Sequence, residues 1–326
     1  MLQDLLESVT TADQRKELDE KRELNLAKEY PEIGRYRFNM YWQKGYMAMV
    51  IRKIETNIKT LDDLKLPTIL KDISMTKRGL VLVVGATGSG KSTTLAAMID
   101  HRNSTEPGHI MTVEDPVEYV HEHKKCVVSQ REVGTDTPSF KSALKNALRQ
   151  APTVILIGEI RDEETMEHAM NFAETGHLCL ATLHSNNANQ AMERVINFFP
   201  PERHRQMYLQ LSLNLKAIVS QRLIKSIDGG RVPAIEILTG SARAKDLIKK
   251  GDVDSLKEAM IQGVVDGMQT FDQALFDLYK AGRISQQEAL ANADSATDLK
   301  LKIKLSGSGE EAPQEAMALA DDGEEG

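Results

Sequence analysis

Between residues 80 and 183, short apolar runs alternate with stretches in which apolar side chains return every three or four positions. The runs are Leu80–Val84, His109–Val113, Val154–Ile157 and Leu178–Thr182. Their length and β-branched content predict strands buried on both faces of a parallel sheet. Phe140, Ala143, Leu144, Ala147 and Leu148 fall on one face of a helix. Asp162 is placed to cap a second helix, which carries Met166, Ala169, Met170 and Ala173 and closes at Gly176. Strands alternating with helices predict a doubly wound α/β domain. The pattern ahead of it differs. Residues 1–20 read as helical, with Thr11 as N-cap, and three extended stretches follow at 23–29, 35–42 and 46–54, separated by turns at 31–34 and 43–45. They predict a small antiparallel sheet. Residues 57–70 read as a linker with a short helix. Beyond Gly240 the chain turns helical over 242–250, 252–264, 270–281 and 285–293, and the methionines and leucines there are expected to pack a core.

Composition narrows the class. The chain has 326 residues, enough for two domains, and 41% of them are hydrophobic. Cys126 and Cys179 are too few for a disulfide framework or a four-cysteine zinc site, so a reduced, cytoplasmic protein is expected. The sequence shows no signal peptide and no apolar run of transmembrane length. The net charge of −7 comes from seven acids, Glu310, Glu311, Glu315, Asp321, Asp322, Glu324 and Glu325, in a tail without Lys or Arg. Taking those seven from the 48 acids leaves 41, matched by 41 Lys and Arg. A neutral body gives no support to nucleic-acid binding. The tail, 306–326, is expected to be disordered and solubilising.

Chemistry enters after the first apolar run. Gly85-Ala86-Thr87-Gly88-Ser89-Gly90-Lys91-Ser92 fits G-x-x-x-x-G-K-[ST] between a strand and a helix. In that context backbone amides and a helix N-terminus cradle phosphates. Gly85, Thr87, Gly88, Ser89, Gly90, Lys91, Ser92 and Thr93 are the candidate ATP-binding set, with Lys91 reaching the β/γ-phosphates and Ser92 holding Mg²⁺. Hydrolysis needs more: a metal ion, a group to position water and cations against developing charge. Thr112–His121 places Glu114, Asp115 and Glu118 beyond a strand's C-terminal end, where ligands sit in open α/β sheets. It reads equally as a solvated acidic loop. Val154–Ile157 followed by Gly158-Glu159 resembles a Walker B strand with glycine at the usual Asp position. Glu159 is a candidate for orienting Mg²⁺-bound water, or simply a partner for Arg161. His177 and His184 flank the last apolar run. His184, at its C-terminal end, is placed to sense a γ-phosphate; His177 reads equally as structural, and neither has zinc-ligand spacing.

These four elements, in this order, resemble the secretion ATPase superfamily, specifically the type IV pilus retraction ATPases. The stretch at Glu114 looks like that family's Asp box, Gly158-Glu159 like its atypical Walker B, and Thr175–His184 like its His box. The resemblance runs from about residue 10 to about residue 305. Met268–Leu275, Asn292–Ser295 and Leu299–Leu305 resemble the accessory, PilU-type subgroup. Ala244-Lys245-Asp246-Leu247-Ile248-Lys249-Lys250 departs from the Ala-Ile-Arg-Asn-Leu-Ile-Arg-Glu signature of PilT-type chains. The resemblance implies a RecA-like P-loop core at 73–240, a C-terminal helical region at 241–305, and a partial PAS-like α+β N-terminal domain at 1–56, joined by a linker at 57–72. The family's N-terminal domain usually has further strands and a helix, so a truncated version is expected here.

By the same resemblance, Glu118 activates water, Glu159 supports the Mg²⁺ and water network, and His184 contacts the γ-phosphate side. Arg37 and Arg52 look like the arginines that reach nucleotide from the N-terminal sheet. The implied assembly is a homohexamer. It would work with a PilT-type retraction ATPase and an inner-membrane platform protein, with no direct nucleic-acid partner, peripherally at the cytoplasmic face. The expected activity is Mg²⁺-dependent ATP hydrolysis driving or assisting pilus retraction. The alternatives are a nucleotide-binding scaffold for another motor, a secretion or assembly ATPase (which usually carries a four-cysteine zinc module), and a nucleic-acid translocase.

Overall fold

A computed structural model describes residues 2–54 and 56–306. The predicted N-terminal helix is two helices, α1 (Leu2–Val9) and α2 (Ala12–Lys21). They part at Thr11 because its backbone is extended and its hydroxyl accepts from the Gln14 amide, while the Gln14 side chain accepts from the Thr11 N–H. The strands β1 (Glu23–Tyr30), β2 (Gly34–Gln43) and β3 (Tyr46–Lys53) then form an antiparallel sheet. Period-two alternation turns Leu24, Leu26, Phe38 and Met40 inward against Val9 and Leu18, a small core separate from the one that follows.

After α3 (Ile69–Ser74) comes the main sheet. Its elements are β4 (Gly79–Val84), α4 (Lys91–Thr105), β5 (Gly108–Glu114), β6 (Cys126–Glu132), α5 (Phe140–Ala147), β7 (Val154–Ile157), α6 (Glu163–Glu174), β8 (Leu178–Leu183), α7 (Ala188–Asn197), α8 (His204–Asn214), β9 (Leu215–Lys225) and β10 (Arg231–Thr239). The seven strands lie in the order β10-β9-β4-β8-β7-β5-β6, and every pairing from β9 to β6 is parallel. Leu80, Leu82 and Val84 of β4 face one core with α5 to α8; Val81 and Val83 face the other with α3 and α4. Covering helices on both faces explain why β4 is buried at every position.

The helices α9 (Ala242–Lys250), α10 (Leu256–Gln262), α11 (Phe271–Lys280), α12 (Gln286–Ala291) and α13 (Ala296–Ser306) follow. The predicted helix at 252–264 starts only at Leu256. The chain divides into two compact units, one of residues 1–223 with 233–270, the other of 224–232 with the chain from Phe271 on. In the second unit the Asp272 carboxylate accepts from the Asp294 and Ser295 amides, fixing the start of α13 against α11, and the Lys302 ammonium lies 4.3 Å from the Phe276 ring centroid. Two separated stretches of the subgroup resemblance thus meet in space. Ser306 ends α13, whereas the rest of the expected disordered tail, 307–326, lies outside the described residues.

Candidate active site

The glycine loop joins β4 to α4. Gly85, Gly88 and Gly90 all have positive φ, 154°, 75° and 91°. Gly85 and Gly90 also have no room for a side chain: a Cβ would lie 2.4 Å from Ser89 Oγ in the first case and 2.7 Å from Gln221 Nε2 in the second. Gln221, buried on β9, accepts from the Thr94 hydroxyl at 2.6 Å, so the loop is seated on the neighbouring strand. No side chain caps α4, which leaves its first amides for an anion. The Lys91 ammonium donates to the Gly85 and Ala86 carbonyls at 2.9 and 3.0 Å. Burial lowers its pKa, while Glu159 and Glu118 pull the other way.

A cavity of about 560 Å³ opens over this loop. Its walls come from the C-terminal ends of four adjacent strands. β4 supplies Thr87, Gly88, Gly90, Lys91, Ser92 and Thr93; β8 leads to His184; β7 leads to Gly158 and Glu159; β5 leads to Glu114, Asp115 and Glu118. Motifs far apart in the chain become lateral neighbours because the sheet order places their strands side by side. Glu159 lines the cavity and accepts from Arg161 Nε at 2.6 Å, with His184 Nε2 3.2 Å from its other oxygen. Arg161 also reaches Asp115 at 3.4 Å, tying the β7 and β5 loops together. Burial and the Lys91 charge lower the His184 pKa against the opposing Glu159, which favours the neutral imidazole.

Gly158 stands where an Asp is usual for a structural reason. A Cβ there would lie 3.0 Å from Glu114 Cα and 3.2 Å from the Val113 carbonyl, so β5 packs directly on its backbone. Glu114 is the most perturbed carboxyl of the site. Burial pushes it up to about 7, against hydrogen bonds from Thr112 and Gln130.

Some candidates lie elsewhere. Arg52 lines the cavity; Arg37, its cross-strand partner, does not. Gly85 and Ser89 sit in the loop without lining the cavity, and Ser89 Oγ is buried without a hydrogen-bond partner. His177, at the start of β8, contacts the Thr175 hydroxyl at 3.1 Å, a local structural role.

The type II/IV secretion system protein family matches residues 5–263. The chain belongs to that family. Among its relatives, the type IV pilus ATPase PilU of Pseudomonas aeruginosa is 58% identical over 298 residues, covering 91% of this chain and 78% of that one. The retraction ATPase PilT of the same organism is 44% identical over 289 residues, covering 89% and 84%. A crystal structure of the pilus retraction motor PilT with bound ADP superposes with a TM-score of 0.86 at 41% identity, covering 92% of this chain and 85% of that chain. The secretion-family resemblance and its α/β fold are thereby borne out, and this secretion-family chain is an ATP-hydrolysing enzyme of the pilus retraction group.

Several lining or bracing residues of this secretion ATPase escape a sequence reading. Arg161 was visible only as a neighbour of Glu159, and its link to Asp115 depends on strand order. Gln221 and Gln130 sit in strands, β9 and β6, whose mixed polar pattern did not mark them as strands.

Proposed function

We propose that the cavity binds ATP with Mg²⁺ and hydrolyses it, with Glu118 activating the attacking water. The reading is supported by one observation: Lys91, Glu118, Glu159 and His184 line a single cavity at the C-terminal edge of the sheet. Lys91 is placed for the β- and γ-phosphates, and the uncapped amides of α4 for the remaining phosphate charge. His184, whose Nε2 faces Glu159, lines the cavity on the side assigned to the γ-phosphate. The donor set suits Mg²⁺: the Ser92 hydroxyl and the Glu159 carboxylate are hard oxygen ligands facing the same space. No cluster of three or more His, Cys, Asp or Glu fit to hold a metal occurs among the described residues, as expected for an ion held mainly by phosphates and water. Ser92 would hold the ion directly and Glu159 through water. When bound, the ion would neutralise phosphate charge and help to orient the nucleotide. Arg52, on the cavity wall, and Arg37, on the adjoining strand, are the cations assigned to charge developing on the transferred phosphoryl.

In this reading six copies form a ring, and hydrolysis changes the angle between the N-terminal sheet and the ATPase core. The ring acts from the cytoplasmic side on an inner-membrane platform protein, as a PilU-type accessory to a PilT-type retraction ATPase. No helix among the described residues is long and apolar enough to cross a membrane, consistent with peripheral attachment. The test is a retraction assay with this chain intact or carrying Lys91→Ala, each with and without an active PilT-type partner. The expected result is retraction only with the partner, weakened by Lys91→Ala. Full support of retraction by Lys91→Ala would favour the scaffold reading, and retraction without the partner would refute the accessory role.

A further inference from the structure

Glu118 is carried by an irregular loop, residues 115–123, between β5 and β6. Such a loop needs its backbone groups satisfied by something outside itself. The side-chain partners come from the adjacent strand β6. Gln130, half-buried in the middle of β6, makes three hydrogen bonds with one side chain. Its amide nitrogen donates to the Tyr119 carbonyl at 2.8 Å and to Glu114 Oε1 at 3.4 Å, and its amide oxygen accepts from the His121 N–H at 2.8 Å. Glu132, two residues on and on the same face of β6, accepts from the Val117 N–H at 3.2 Å. Glu114, at the end of β5, accepts from the Thr112 hydroxyl at 2.7 Å as well as from Gln130, so Gln130 joins the loop to the end of β5. The loop amides at 117 and 121 and the carbonyl at 119 are therefore bonded to side chains of β6, bracketing the glutamate. Thr93 adds an anchor from α4, its hydroxyl 2.7 Å from the Tyr119 hydroxyl.

We propose that Gln130 is a positioning residue for hydrolysis: by latching Tyr119 and His121 it fixes the loop that aims Glu118 into the nucleotide cavity. The side chain itself does not line that cavity, so it touches neither phosphate nor water there. The geometry beneath the loop supports the assignment. His121 is 8% exposed, its Nδ1 has no hydrogen-bond partner, and it lines a small pocket of about 30 Å³ together with Glu114, Tyr119 and Ser92. That volume holds one water. Part of the loop thus borders a small pocket, and hydrogen bonds at its edge hold it there. A misplacement of about 1 Å is enough to cost on the order of 100-fold in rate, so losing the latch should be read in turnover before it is read in binding.

The inference rests on the reading of Glu118 as the water-activating group, and the experiment separates the two. Gln130→Met keeps the side chain's length and removes all three hydrogen bonds. Gln130→Glu keeps the acceptor for His121 and loses the donor to Tyr119. Steady-state ATPase, ADP affinity and hydrogen–deuterium exchange are measured for both variants, beside Glu118→Ala. Gln130→Met should lower kcat at least tenfold, leave KM and the ADP Kd within about twofold, and speed exchange in 116–121 while leaving 85–95 unchanged; Gln130→Glu should fall between Gln130→Met and the unsubstituted chain. Unchanged kcat in Gln130→Met, with Glu118→Ala inactive, overturns the latch and leaves the Glu118 reading standing. Normal turnover in Glu118→Ala overturns that reading. Equal losses of kcat and nucleotide binding in both Gln130 variants, with faster exchange throughout, would assign Gln130 to general stability instead.

Discussion

At the level of single residues, the site places two ionisable groups in environments of opposite consequence. Glu114 is held near 7 by burial, above its value in the unfolded chain. The folded state therefore binds more protons than the unfolded state between about pH 4.5 and 7, and this group's contribution to stability falls as pH rises through that window. His121, pushed down to about 4 by burial, acts in the opposite sense and loses stability as pH falls from 6.5 to 4. Where the windows overlap the two slopes oppose each other, so only a difference curve isolates Glu114. Glu114→Gln should gain stability relative to the unsubstituted chain as pH rises from 5 to 7, by at most about 1.4 kcal/mol per pH unit. Chemical denaturation at both pH values checks this; a constant or shrinking difference contradicts it. Gly158 gives a second prediction. Gly158→Asp, which restores the usual Walker acid, should lower turnover rather than raise it, because its Cβ meets the Glu114 backbone at 3.0 Å. The glycine loop, Gly158-Glu159 and His184 were legible as residues; the perturbed state of Glu114 was not, because burial is a property of the folded neighbourhood.

At the level of elements, legibility followed burial. β4, β7 and β8 are buried at every position and almost wholly apolar because helices cover both faces, and each was placed within a residue or so by the pattern alone. β6 was missed. It is an edge strand whose Ser129, Gln130 and Arg131 keep polar partners, so no apolar run announces it. β9 and β10 were missed too: Ser220, Gln221 and Glu236 are buried polar residues within them, engaged by hydrogen bonds that only the assembled sheet supplies. Helix ends were more readable where a cap marks them. Asp162 accepts from the Thr165 amide at 2.8 Å, and the Thr165 hydroxyl completes the box toward the Asp162 backbone. Asp162→Ala should destabilise the fold by about 1 kcal/mol, seen as a lower denaturation midpoint. Because α6 follows directly on Arg161, the same substitution should also reduce turnover modestly.

At the level of the whole molecule, sheet order turns a linear list of motifs into a catalytic edge. The P-loop, His184, Glu159 and Glu118 follow β4, β8, β7 and β5, which are consecutive in the sheet though not in the chain. That adjacency could not be read from spacing alone; it came with the family resemblance and appears directly in the structure. The proposed ring makes its own prediction. If active sites act in sequence around six copies, Lys91→Ala subunits mixed with intact ones should depress ATPase activity more than in proportion to their share; a linear decline would indicate independent sites. The central claim is that Lys91 binds the nucleotide and Glu118 does the chemistry. Its most direct measurement is single-turnover hydrolysis of Mg-ATP by Glu118→Ala, with ADP affinity titrated on the same protein. Affinity is expected to be unchanged and hydrolysis slowed at least a hundredfold; hydrolysis at the unsubstituted rate would rule out Glu118 as the water-activating group.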